Sequence, residues 1–77
     1  MTERELGIKL KEMYDEGLRK KEAKTYIHLF GIRYADVILN NELNRADIIK
    51  FANISASYDT EIYTGVKLSK YVELKHL

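Results

Sequence analysis

The chain has no cysteine, no proline and no tryptophan, and only four glycines among its 77 residues. Without cysteine there is no disulfide framework and no thiolate metal site. A sheet protein needs turn residues at each hairpin, so this scarcity of glycine and proline favours helices. Long apolar runs are missing too. The longest purely apolar stretch is Val37-Ile38-Leu39, far short of a membrane span. Nor is there an excess of one charge: thirteen basic residues against twelve acidic ones leave a net charge of +1. That excludes the strongly basic balance of a nonspecific nucleic-acid coat, so any DNA contact must come from local clustering of cations. The opening Met1-Thr2-Glu3-Arg4-Glu5 is polar and acidic, unlike a signal peptide, and a cytoplasmic location is the expectation.

What is present is helical patterning. The length suits one small domain, 1–77, with a modest core, and the expected fold is all-α, a compact bundle of four to five helices. Thr2 with Glu5 fits a capping box that opens a helix from Thr2 to Glu16. Leu6, Leu10, Met13 and Tyr14 make its apolar stripe, Ile8 lies off that stripe, and Gly17 is placed to stop it. Lys20 to Asn40 reads as one long helix. Ala23, Tyr26, Ile27, Phe30, Tyr34, Val37 and Ile38 share one face, and Leu29, Ile32 and Leu39 lie on the other. A helix apolar on two sides is central in its domain or shared with a second chain, and a homodimer is the expectation. Gly31 sits mid-helix at a cost of roughly 1 kcal/mol relative to Ala, so it marks a close helix crossing or a break.

The stretch from Asn44 to Val72 has the outline of a helix-turn-helix. Asn44 is a suitable N-cap, with Asp47 three residues on, and Ile48, Ile49, Phe51 and Ala52 supply an apolar side. Asn53 occupies the left-handed position that commonly ends a helix, and Ile54 would tuck into the core. Ser55 or Ser57 can cap the next helix, expected from Ser57 to about Val72. At about 100° per residue, Tyr58, Ile62, Gly65, Val66, Leu68 and Val72 form one apolar arc, on which Gly65 allows another helix to approach closely. The opposite face carries Thr60, Tyr63, Thr64, Lys67, Lys70 and Tyr71. Hydroxyls, phenols and ammonium groups of this kind suit DNA bases and phosphates. Two features run against that use. Asp59 and Glu61 sit in the first turn, where they favour the helix dipole but repel phosphate. Moreover, Asp59 stands at the position after the turn where a helix-turn-helix carries an apolar residue, and the apolar residue is Tyr58 instead.

Arg19-Lys20-Lys21, followed by Lys24, is the densest basic cluster. At the start of a helix cations are unfavourable for the dipole, so Lys20 and Lys24 are candidates for flanking phosphates, with a solvated linker as the alternative. The candidate DNA-binding residues are therefore Lys20, Lys24, Thr60, Tyr63, Thr64, Lys67 and Lys70, and the candidate partner is double-stranded DNA. The alternative function is a protein-interaction or dimerisation module with no DNA contact. His28 and His76 are the only histidines and lack companion ligands, so no metal site is expected. His28 reads as a partly buried histidine with one hydrogen-bond partner. There is no nucleophile-base pair, phosphate-cradling glycine loop or carboxylate dyad, so no enzyme, cofactor or small-molecule substrate is expected. Glu73 to Leu77 is expected to fray.

Two blocks, Ile27-His28-Leu29-Phe30-Gly31-Ile32-Arg33-Tyr34-Ala35 and Glu61-Ile62-Tyr63-Thr64-Gly65-Val66-Lys67-Leu68-Ser69-Lys70-Tyr71-Val72, resemble a family of small helix-turn-helix-like domains of Gram-positive bacteria and their phages. Such domains occur alone or attached to larger proteins, including restriction-type enzymes. The resemblance covers about two thirds of the chain and rests mostly on core residues. It implies a helix-turn-helix-like fold and a DNA-associated role, transcriptional or accessory to restriction, without assigning functional residues.

Overall fold

Among the described residues the fold is four α-helices joined by short turns: α1 (Glu3–Arg19), α2 (Ala23–Asn40), α3 (Arg45–Ala52) and α4 (Asp59–Leu68). A single 3-10 turn (Ala56–Tyr58) precedes α4, and no strand occurs among the described residues. The all-α expectation holds. The computed structural model describes residues 1–75. The expected fraying of Glu73 to Leu77 falls partly on His76 and Leu77, outside the described residues.

The capping box at Thr2 is complete. Glu5 N–H donates to Thr2 Oγ1 at 3.2 Å, and Thr2 N–H donates to Glu5 Oε1 at 2.9 Å. Hydrogen bonding to Thr2, by its backbone amide first and its hydroxyl second, holds the Glu5 carboxyl below its usual range. Leu6 and Leu10 are fully buried, Met13 and Tyr14 half-buried, and Ile8 exposed, as the stripe predicts.

The expected end of α1 is wrong. The helix passes through Gly17 and continues to Arg19, and α2 begins at Ala23 instead of Lys20. Gly17 is a contact rather than a cap: a Cβ there would lie 2.9 Å from both Ala23 Cα and Tyr26 Cβ. Its missing side chain lets the end of α1 lie against the start of α2. The reversal is made by Lys21 instead, in the left-handed region at φ 59°, and by Glu22 N–H donating to the Gly17 carbonyl at 2.7 Å. Lys20 and Lys21 therefore belong to a turn.

Helix α2 runs unbroken across Gly31 to Asn40. Ile27, Phe30, Ala35 and Ile38 are buried on its inner side, and the Phe30 and Tyr34 rings lie 5.1 Å apart. On the outer side Leu29 and Ile32 are half-buried and Leu39 is 56% exposed. Gly31 marks a crossing. It faces Gly65 of α4, and a Cβ on Gly31 would sit 2.9 Å from Gly65 Cα and drive into the Ile62 carbonyl oxygen. A Cβ on Gly65 would likewise meet the His28 carbonyl oxygen. The two glycines bring the helix backbones closer than any side chain would allow.

Helix α3 is set on α1 rather than on α4. A Cβ on Gly7 would lie 2.5 Å from Phe51 Cβ and 3.1 Å from the Ala52 nitrogen. Asn44 caps α3 as expected, its Oδ1 accepting from Asp47 N–H at 3.1 Å. The reciprocal bond of a capping box goes elsewhere: Asn44 N–H donates to Glu3 Oε2 at 3.1 Å, which ties the start of α3 to the start of α1. That amide is the main reason the Glu3 carboxyl lies below its usual range. Asn53 closes α3 in the left-handed conformation, φ 57° and ψ 46°. The order in space is thus α3 on α1, α1 on α2 and α2 on α4. One core joins them: Leu6 and Leu10 from α1, Ile27, Phe30, Ala35 and Ile38 from α2, Ile48, Ile49 and Ala52 from α3, and Ile62 and Val66 from α4.

Candidate nucleic-acid interface

The break between α3 and α4 is longer than expected. Ser55 caps the 3-10 turn by accepting Ser57 N–H at 3.2 Å, and Ile54 is half-buried against the core. Tyr58 ends the turn and packs edge-on against Tyr14 of α1, ring centroids 5.5 Å apart. Hydrogen bonding to Tyr14 raises the Tyr58 phenol above its usual pKa, and the nearby positive charge of Lys24 partly offsets this. The 3-10 turn takes up residues expected in the helix, so α4 starts at Asp59 instead of Ser57.

The far end also differs: α4 stops at Leu68, four residues before the expected Val72. Ser69 Oγ donates to the Val66 carbonyl at 2.6 Å, and mixed-length turns follow, with Lys70 N–H to Lys67 and Tyr71 N–H to Leu68. A serine hydroxyl that competes for a helical carbonyl commonly marks such an end. Lys70 and Tyr71 therefore lie on the turn beyond α4 instead of within it, and Tyr71 is 82% exposed.

Within α4 the sides are sharply divided. Ile62, Gly65 and Val66 are buried toward α2. On one flank Glu61 Oε2 lies 2.5 Å from His28 Nε2, the single partner expected for His28. A carboxylate can only accept, so this bond places a proton on Nε2. On the opposite flank Arg45, the first residue of α3, donates from Nε to Asp59 Oδ1 at 2.8 Å and from Nη2 to Oδ2 at 3.5 Å. The irregular Asp59 is thereby explained. Where an apolar residue would pack α4 on α3, a polar bridge joins them. The Arg45 guanidinium also lies over the Tyr63 ring, 4.7 Å from its centroid, and Lys67 Nζ stands 4.8 Å from the same centroid. Between the flanks, Thr60 and Lys67 are exposed and Thr64 is half-buried.

A family model described as HTH-like domain, that is, helix-turn-helix-like, matches residues 2–75. The chain belongs to this family. No curated protein and no solved structure matches it.

The HTH-like domain brings some of the candidate residues together and separates others. Thr60, Tyr63, Thr64 and Lys67 share the outward side of α4. Lys24, in the first turn of α2, is close enough to Tyr58 to influence its phenol near the start of α4. Lys70 lies on the turn beyond α4. Lys20 is engaged elsewhere, 2.9 Å from the Tyr26 hydroxyl and 3.5 Å from Glu16 Oε1, and its pKa is raised chiefly by Tyr26. Among the described residues Lys24, Lys67 and Lys70 have no carboxylate partner. Sequence reasoning passed over Arg45. A cation at the first position of a helix works against the dipole, and that was the available signal. Among the described residues no helix is long and apolar enough to cross a membrane, and no group of three or more His, Cys, Asp or Glu could hold a metal ion.

Proposed function

We propose that this HTH-like domain is a cytoplasmic binding module, not an enzyme, that holds double-stranded DNA by presenting α4 to the major groove. The observation that carries this reading is the outward side of α4, where Thr60, Tyr63 and Lys67 are exposed and Thr64 is half-buried beside them. Membership of the HTH-like family gives it context. Threonine hydroxyls and the Tyr63 phenol have the reach and chemistry for base edges or phosphates. Lys67 serves a phosphate or a guanine edge, and Lys24 and Lys70 serve flanking phosphates. Lys20 contributes less, because Glu16 and Tyr26 already occupy its ammonium group.

The test is titration of a fluorescent random-sequence duplex at low and moderate salt. Lys67→Ala should weaken binding similarly for all sequences and lower the salt slope by about 1, while Lys20→Ala should change it less. No binding at low salt would eliminate the DNA reading. The domain would then be an interaction module, which its near-neutral charge and the carboxylates of Asp59 and Glu61 beside the outward face favour.

We also propose that the domain pairs as a two-fold homodimer through the outer side of α2. There Leu39 is 56% exposed, and Leu29 and Ile32 are only half-buried. Two-fold pairing would present two copies of α4 to paired half-sites. Sedimentation at high micromolar concentration should show a dimer that Leu39→Glu dissociates, and a wild-type monomer there would disprove the pairing.

A further inference from the structure

Among the described residues, Arg45 is the one cation beside the outward side of α4 that is already paired with a carboxylate. It reaches from the first residue of α3 across to α4, with its guanidinium on both Asp59 oxygens and over the Tyr63 ring, 4.7 Å from the centroid. Lys67 stands over the same ring at 4.8 Å. The pair is partly open to water, with side-chain exposures of 33% for Arg45 and 44% for Asp59. A guanidinium presents a planar fork of donors that fits a phosphate as well as a carboxylate. Asp59 therefore occupies the ligand position that a DNA phosphate would take beside Tyr63 and Lys67.

We infer that Asp59 is an internal competitor for DNA phosphate. It sheathes Arg45 in the free domain and so sets how strongly the interface holds nucleic acid. This rests on the DNA-binding reading of α4 given above. The exchange is balanced: the Arg45–Asp59 ion pair opens, an Arg45–phosphate pair forms, and the Asp59 carboxylate is left to water. In wild type the Asp59 pair, being intramolecular, keeps Arg45 from phosphate in most bound molecules, and where it opens the exposed carboxylate then faces the DNA backbone. The competitor thus lowers affinity for every duplex alike. A near-neutral domain gains from this, because its contacts to base edges then carry a larger share of the binding.

The experiment is the random-duplex titration with Asp59→Asn, Arg45→Ala and the double variant, each checked for an unchanged helical spectrum and melting temperature. Asp59→Asn should bind about ten-fold more tightly than wild type at about 50 mM salt and steepen the salt slope by about 1, as one added phosphate contact requires. Arg45→Ala should do little in wild type yet remove most of the gain in Asp59→Asn. That non-additivity separates a released Arg45 from the mere loss of a repelling charge. If wild type binds and Asp59→Asn neither tightens binding nor steepens the slope, the competitor role is overturned and the DNA reading stands. If Asp59→Asn tightens binding equally with and without Arg45, Asp59 only repels phosphate and the inference is again overturned. If neither wild type nor Asp59→Asn binds, both readings fall.

Discussion

Gly65→Ala should lower stability by roughly 3 kcal/mol, the upper part of the usual range for overpacking a core. For a domain of this size that corresponds to a fall of about 10–25 °C in melting temperature. The sign is the informative part. Inside a helix, alanine is intrinsically better than glycine by about 1 kcal/mol, so a helix packed loosely at this point would be stabilised. Here the added Cβ would meet the His28 carbonyl oxygen and lie 2.9 Å from Gly31 Cα. Both are backbone atoms of a neighbouring helix and cannot turn aside as the end of a side chain can. Helix α4 would have to lift from α2, weakening the burial of Ile62 and Val66 and the Glu61–His28 bond. Thr60→Ala, on the exposed side of the same helix, should stay within about 0.5 kcal/mol of wild type. Thermal melts of the two variants give the comparison, and a stabilised Gly65→Ala protein would disprove the close crossing.

The second large effect is on binding. Lys24, Lys67 and Lys70 are the candidate cations without a carboxylate partner among the described residues. Each phosphate neutralised on duplex DNA contributes about 0.9 to the slope of log affinity against log salt. Three contacts then imply a loss of roughly 40-fold in affinity between about 50 and 200 mM salt. Replacing all three lysines with glutamine should nearly flatten that dependence and leave only weak binding. The substitutions lie on exposed positions, so stability should change little. Titrations at the two salt concentrations measure both slopes. An unchanged slope in the triple variant would mean that other cations hold the DNA.

Features set by local chemistry were readable in the sequence. The Thr2 capping box, the Asn44 cap and the left-handed Asn53 each depend on a few consecutive residues, and all three form. The 3.6-residue periodicity marked Leu6, Leu10, Ile27, Phe30, Ile62 and Val66 as inward-facing, and each is buried. Gly65 was readable for a related reason, since a glycine on an apolar helical face suits close contact, whereas Gly31 fitted either a close crossing or a break, and only the unbroken α2 decides for the crossing. Gly17 was misread because the same residue serves as a cap or as a contact, and only the path of α2 decides between them. The end of α4 depends on the Ser69 hydroxyl choosing the Val66 carbonyl over water. The Arg45–Asp59 bridge spans fourteen positions and crosses a turn whose length the sequence does not show. On the candidate interface, periodicity placed Thr60, Tyr63, Thr64 and Lys67 on one side of α4. It could not show that Lys20 is bound by Tyr26, or that Lys70 follows the helix end.

The proposed contact is between the outward side of α4 and DNA. Its most direct test is two-dimensional amide NMR of the labelled domain during titration with a short random-sequence duplex at low salt. The expected result is shifts concentrated at Thr60, Tyr63, Thr64 and Lys67, with smaller ones at Lys24, Arg45 and Lys70, while Ile8, Leu18 and Leu39 stay in place. Shifts centred on α1 or the outer side of α2, or no shifts at all, would contradict it.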